Sequence, residues 1–210
     1  PETAIITDGW LQNLGGNVTI TKNDLPIGSF WGKISEGVDP QTGDLIFADN
    51  GKFQLMGSPL PDFTYGFVNE INYKNWDLNI VIDGVSGNEV YNTGKQELEE
   101  MRLLHNQSAA IVNRWRKPGD ITNIPRATIL DQNGNSKISS RFVEDGSYLR
   151  IRDISLSYDF EENVIKGLNI SGLRLYANLK NWFTITDYSG YTPEINRGGT
   201  SATMQGIDYG

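Results

Sequence analysis

Residues 64–85 constrain the fold of this chain more than any other stretch. Apolar and polar residues alternate on both sides of Lys74 and Asn75. A two-residue turn at that pair sets Tyr73 opposite Trp76, Ile71 opposite Leu78, Asn69 opposite Ile80 and Phe67 opposite Ile82. The other face then pairs Asn72 with Asp77, Glu70 with Asn79 and Val68 with Val81. One face is almost wholly apolar and the other mostly polar. Because side chains alternate with a period of two, a slip of one residue would exchange the faces, so the register is strongly specified. Each strand is about ten residues long, within the ~9–11 that a tilted strand needs to cross a bilayer. Tyr73 and Trp76 fall at the turn end of the apolar face, where aromatic side chains suit a membrane interface.

The same alternation returns later. Leu173, Leu175, Ala177, Leu179, Phe183 and Ile185 share one face, and Arg174, Tyr176, Asn178, Lys180, Trp182, Thr184 and Thr186 share the other. Before them, Ile154, Leu156, Tyr158 and Phe160 alternate with Ser155, Ser157 and Asp159. Leu149 and Ile151 are out of phase with that set, which places a β-bulge near Asp153. Residues 161–172 have room for one short helical turn. Toward the start, residues 17–22, 30–38 and 44–48 read as short strands with Gly-rich joints. The sum is an all-β chain of antiparallel amphipathic strands and hairpins. One long excursion, residues 94–145, interrupts it and carries a predicted helix over 95–112. Leu98, Met101, Arg102, Leu104, Ala109 and Val112 would form its ragged stripe, and Glu97, Glu99 and Glu100 would lie near its positive end.

Composition then removes several functions. The 210 residues include no cysteine and one histidine, His105. Disulfides, thiolate chemistry and multi-histidine metal sites are therefore ruled out. A net charge of −8 argues against nucleic acid as a partner. No run approaches 18 apolar residues, so no transmembrane helix is expected. Pro1, Glu2 and Thr3 do not open a signal peptide. Low average hydropathy does not separate a soluble β-protein from a membrane barrel, which hides its apolar surface in alternation.

The chemical motifs are weak. Asp39 to Asp44 and the Asp49, Asn50, Gly51 group lack the ligand set of a calcium loop and read as turns. Gly84, Val85, Ser86 and Gly87 lack nucleophile-elbow spacing. The carboxylate pairs Glu144/Asp145 and Glu161/Glu162 read as solvated turns rather than glycosidase pairs. No enzyme activity, cofactor or metal is expected. Arg114, Trp115 and Arg116 form the one basic-aromatic cluster; they suit a binding surface, while Trp115 equally suits an anchor for the long loop. Tyr188, Tyr191 and Trp31 are further binding candidates with the same two readings.

Several runs, in order, resemble SusC/RagA-type TonB-dependent outer-membrane transporters. PIGSFWG at 26–32 resembles the family's PIGSFYG, and GSPLPDFTYGF at 57–67 its strand entry. DGVSGNEVYN at 83–92 is similar to its exit into an extracellular loop, and NRW at 113–115 with IPR at 124–126 to the loop that follows. SRFVEDGSYL at 140–149, YSGYTPE at 188–194 and GIDYG at 206–210 complete the set. The resemblance implies part of a barrel of about 22 strands in the bacterial outer membrane, with 94–145 as an extracellular loop. It implies a partial barrel over 1–210, lacking the plug and the final strand. It also implies lipid contact, with Tyr73, Trp76 and Tyr158 at the membrane interface. The implied function is import of oligosaccharide, glycan or peptide, energised through TonB and assisted by a SusD-like lipoprotein. The alternative reading is a soluble secreted carbohydrate-binding β-sandwich or an adhesive surface module.

Overall fold

The computed structural model describes residues 10–11, 16–168, 170–195 and 201–209. The described residues divide into two compact units, one within 62–87 and 147–187, the other made of the remaining described residues.

The first unit is a four-stranded sheet of β1 (Phe63–Tyr73), β2 (Trp76–Ser86), β3 (Tyr148–Asp159) and β4 (Arg174–Thr186). Its order is β4-β3-β2-β1, and every pair is antiparallel. The hairpin register is the one the alternation specifies, from Tyr73 opposite Trp76 to Phe67 opposite Ile82. Lys74 takes a left-handed φ of 54° to make the turn. The Asn75 side chain donates to the Asp159 carbonyl at 2.7 Å, tying the turn to the end of β3. Residues 160–173 connect β3 to β4 through a helical turn at Glu162–Ile165 and a 3-10 turn at Lys166–Leu168.

The expected bulge lies between Ile151 and Asp153. It is graded across the sheet. Between the row Ile82, Ile151, Phe183 and the row Ile80, Ile154, Leu179, one residue intervenes on β2, two on β3 and three on β4. Asn181 absorbs the extra length with a left-handed φ of 49°. Such an insertion bends a strand and increases its twist, and it leaves both rows on one face. The apolar face therefore continues across the four strands despite the phase change in β3, with Asn69 on β1 as its one polar interruption in the central row.

That face is open. Phe63, Phe67, Ile71, Tyr73, Trp76, Leu175, Leu179, Phe183 and Ile185 all remain exposed among the described residues. A β-sandwich buries its apolar face against a second sheet. The soluble-sandwich reading is therefore not favoured.

The second unit has a core of Val18, Phe30, Met56, Tyr91, Ile138, Phe142 and Ile207. Short strands surround it. Thr19–Ile20, Ser29–Lys33 and Phe53–Gly57 form one sheet, and Ser35–Val38 pairs with Leu45–Phe47. Glu89–Asn92 is flanked by antiparallel Val143–Asp145 and parallel Ile207–Asp208. The buried Tyr91 ring contacts Phe30 and Phe142.

The long excursion corrects one expectation. The helix predicted over 95–112 is instead α1, Thr93–Glu99, followed after a break by a 3-10 turn at Ala109–Asn113. Asn92 caps α1 by accepting from the Lys95 N–H at 2.8 Å. Met101 then adopts a φ of 49°, which ends the helical path. Glu99 and Glu100 turn inward, Glu99 pairing with Arg141, while Leu104 is left fully exposed. Tertiary pairing outweighs a ragged apolar stripe, since propensity and pattern are weak compared with burial.

Candidate membrane face and loop site

The apolar face carries aromatic residues at both ends. At the hairpin-turn end, Tyr73 pairs with Trp76 and Trp76 with Tyr158 across the strands. The Trp76 and Tyr158 ring centres are 4.7 Å apart, and Phe160 meets Tyr158 edge-on at 4.9 Å. At the other end, Phe63 and Tyr65 lie 5.9 Å apart. Ten residues separate Phe63 from Tyr73 along β1. At ~3.3 Å per residue that is about 33 Å of strand. A strand tilted by about 40° reduces it to about 25 Å, the height of the apolar band of an outer-membrane barrel. The second aromatic set was legible in the sequence, because Phe63 and Tyr65 share the parity of Tyr73.

The opposite face is ion-paired. Asp83 accepts from Arg150 at 3.1 Å and from Arg152 at 2.8 Å. Arg174 pairs with Asp159 and reaches Asp77 at 3.3 Å, and Ser157 donates to Asp77. These links join β2, β3 and β4 across the sheet. A face with this chemistry suits water, and its pairing was not readable before the register of all four strands was known.

In the second unit the binding candidates separate. The Trp115 indole donates to the Pro40 carbonyl at 2.9 Å. Its ring covers Gly43 so closely that a Cβ there would collide with it. Backbone bonds from Gly119 to Pro40 and from Arg126 to Gly43, both 2.8 Å, complete the dock. Arg126 also grips Asp44 through two nitrogens, at 2.7 and 3.0 Å, and Asn135 donates to the same carboxylate at 2.9 Å. Burial alone would raise the Asp44 pKa, but the Arg126 and Asn135 bonds outweigh it and hold the carboxyl below its ordinary value. Arg114 and Arg116 donate to the carbonyls of Ile111 and Val112, closing the 3-10 turn. Trp31 is a half-buried strand residue whose N–H donates to Val18. Tyr188 is buried and its hydroxyl donates to Asp208. Burial, with Asp208 beside it, pushes the Tyr188 phenol up and keeps it a neutral donor. Tyr191 differs from the other five, being 98% exposed.

The acidic turn is occupied by its own chain. Asp39 accepts from the Gln41 N–H and the Thr42 hydroxyl, which hold its pKa below the ordinary aspartate value. Among the described residues no cluster of three His, Asp or Glu side chains could hold a metal ion. A cavity of about 800 Å³ opens beside α1, walled by Lys95 and Glu99 of the helix, by Asn113 and Asn123 of the excursion, and by Arg141 and Tyr191.

No protein-family model matches the chain. It is 34% identical to TonB-dependent receptor P3 of Formosa agariphila over 88% of its own length and 20% of the relative's. It is 26% identical to TonB-dependent receptor SusC of Bacteroides thetaiotaomicron over 71% of its length and 14% of SusC. Its fold matches a chain of the RagAB peptide transporter with a TM-score of 0.73 at 21% identity, covering 91% of this chain and 22% of that one. The same importer in its closed-closed state matches with a TM-score of 0.71. The chain thus spans about one fifth or less of the length of these relatives.

A sheet with one bare apolar face of membrane height and one ion-paired face is wall of an outer-membrane β-barrel. The chain belongs to the SusC/RagA-type TonB-dependent receptors, proteins of the bacterial outer membrane. Its relatives are receptors and transporters rather than enzymes.

Proposed function

We propose that this chain forms part of the wall and external loops of a TonB-dependent nutrient importer, which takes up oligosaccharide, glycan or peptide. The observation that carries the reading is the four-stranded sheet, whose bare apolar face matches the bilayer in height and is bounded by aromatics at each end. In this reading Tyr73, Trp76 and Tyr158 sit at the periplasmic interface, because the two-residue turn at Lys74 and Asn75 and the shorter inter-strand connection, residues 160–173, leave that end of the sheet. The long excursion, residues 94–145, and the connection after β4 leave the other end and reach the cell exterior, as long barrel loops do. The polar face looks into the lumen. A SusD-like lipoprotein covers the external side and presents substrate, and TonB supplies energy through a plug elsewhere in the protein. The wall does no covalent chemistry; it closes every backbone hydrogen bond so that a polar solute can pass inside a hydrocarbon layer.

Growth on single nutrients tests this. Deleting the receptor gene is expected to abolish growth on one class of oligosaccharide or peptide, and a protonophore is expected to stop uptake of the same nutrient. Unchanged growth of the deletion strain on every oligosaccharide and peptide mixture would contradict it.

A further inference from the structure

The cavity beside α1 has a definite electrostatic character. The basic groups of its walls are already paired with carboxylates of the same chain. Lys95 Nζ lies 2.6 Å from Glu144, and Arg141 is paired with Glu99 while both are more than nine-tenths buried. Asp208 accepts from the Tyr188 hydroxyl. A charged ligand entering here would meet a counter-charge and a like charge together, so it would lose its hydration for little Coulomb gain.

The groups left to bind are of another kind. Asn113 and Asn123 are exposed, and each amide offers two donors and an acceptor. The Tyr191 ring stands free at the mouth, 98% exposed. Paired amides with donor and acceptor capacity match hydroxyl groups, which also donate and accept. A free aromatic ring offers an apolar plate to the C–H face of a sugar. The walls are held rigidly: Glu144 accepts from the Ser189 N–H and hydroxyl, both at 2.9 Å, fixing the segment that carries Tyr191.

We infer that this cavity is a substrate subsite of the importer that selects neutral, hydroxyl-rich ligands, pyranose units of an uncharged oligosaccharide, and rejects acidic ones. Asn113 and Asn123 bind hydroxyls, Tyr191 stacks on the ring, and the internal ion pairs supply the discrimination. The inference rests on the import reading above and narrows its substrate.

The test uses the full-length receptor carrying this sequence, purified in detergent. It is presented with an array of neutral, uronate-bearing and sulfated oligosaccharides and with a tryptic peptide mixture. Binding to neutral oligosaccharide is expected. Loss of two neutral hydrogen bonds in the N113A/N123A double variant is expected to weaken it by about tenfold, on the order of 1.4 kcal/mol. Tyr191→Ala is expected to weaken it similarly, and thermal stability should stay unchanged because all three side chains are exposed. Preference for acidic oligosaccharide or peptide, no binding to any neutral oligosaccharide, or neutral binding untouched by these variants would overturn the inference. Energy-dependent uptake of some nutrient by the same receptor would still uphold the import reading, so the two can fail separately.

Discussion

Gly84 shows how a single residue shapes the apolar face. The Tyr65 ring lies over it, and the Tyr65 hydroxyl donates to the Tyr148 carbonyl at 3.0 Å. A side chain at Gly84 would meet that ring and that carbonyl together. Gly84→Val is therefore expected to destabilise the sheet by about 1–3 kcal/mol, the usual cost of overpacking. Urea unfolding of the receptor in lipid vesicles would measure it; stability equal to wild type would remove the constraint. At Trp115 the two sequence readings part. With its indole bonded to Pro40 and its ring on Gly43, the residue anchors the loop. Trp115→Ala should destabilise that dock by about 1–3 kcal/mol, less than a fully buried Trp because the ring is half exposed. The expected sign is faster proteolysis within residues 115–126, and an unchanged digest would contradict the anchor role. No sequence pattern distinguishes an anchoring Trp from a binding one, because the distinction depends on a turn 75 residues away.

At the scale of elements, the four long strands behave differently from the excursion. The hairpin was legible pair by pair because turn position and both faces agree on one register. The bulge was legible as a phase change in β3, but not its widening to three residues on β4, which preserves parity there and leaves no trace in the pattern. The helix expected over 95–112 ends at Glu99, which pairs with Arg141 far along the chain, a contact that periodicity does not encode. The row of Ile80, Ile154 and Leu179 lies midway between the aromatic ends. Leu179→Arg is therefore expected to cost about 2–4 kcal/mol in bilayer, and Tyr73→Arg at the edge only about 0–1. Equal costs at both positions would argue against a lipid-facing band.

The connection after β4 depends on pH. Burial raises the Glu144 pKa, but Lys95 and two bonds from Ser189 outweigh it and hold the carboxyl below its ordinary 4.5. A depressed carboxyl stabilises the folded state fully above the unfolded value and loses that contribution as pH falls through the folded one. Pepsin cleavage near residues 188–191 should thus rise relative to Glu144→Gln only as pH drops below about 4.5. A constant ratio from pH 5 to pH 3 would contradict this.

At the scale of the whole molecule, the account rests on one asymmetry: a sheet with lipid on one side and water on the other. No helix among the described residues is long and apolar enough to cross a membrane. The chain has no cysteine, which makes single-cysteine scanning direct. In the full-length receptor in native-like bilayers, on a cysteine-free background, residues 148–159 would be replaced one at a time and spin-labelled. Accessibility to oxygen, enriched in lipid, would be compared with accessibility to a water-soluble nickel chelate. The account predicts lipid exposure at 149, 151, 154, 156 and 158 and water exposure at the positions between, with the phase reversing across Arg152 and Asp153. Uniform water accessibility, or an alternation that runs through those two residues without reversing, would contradict it.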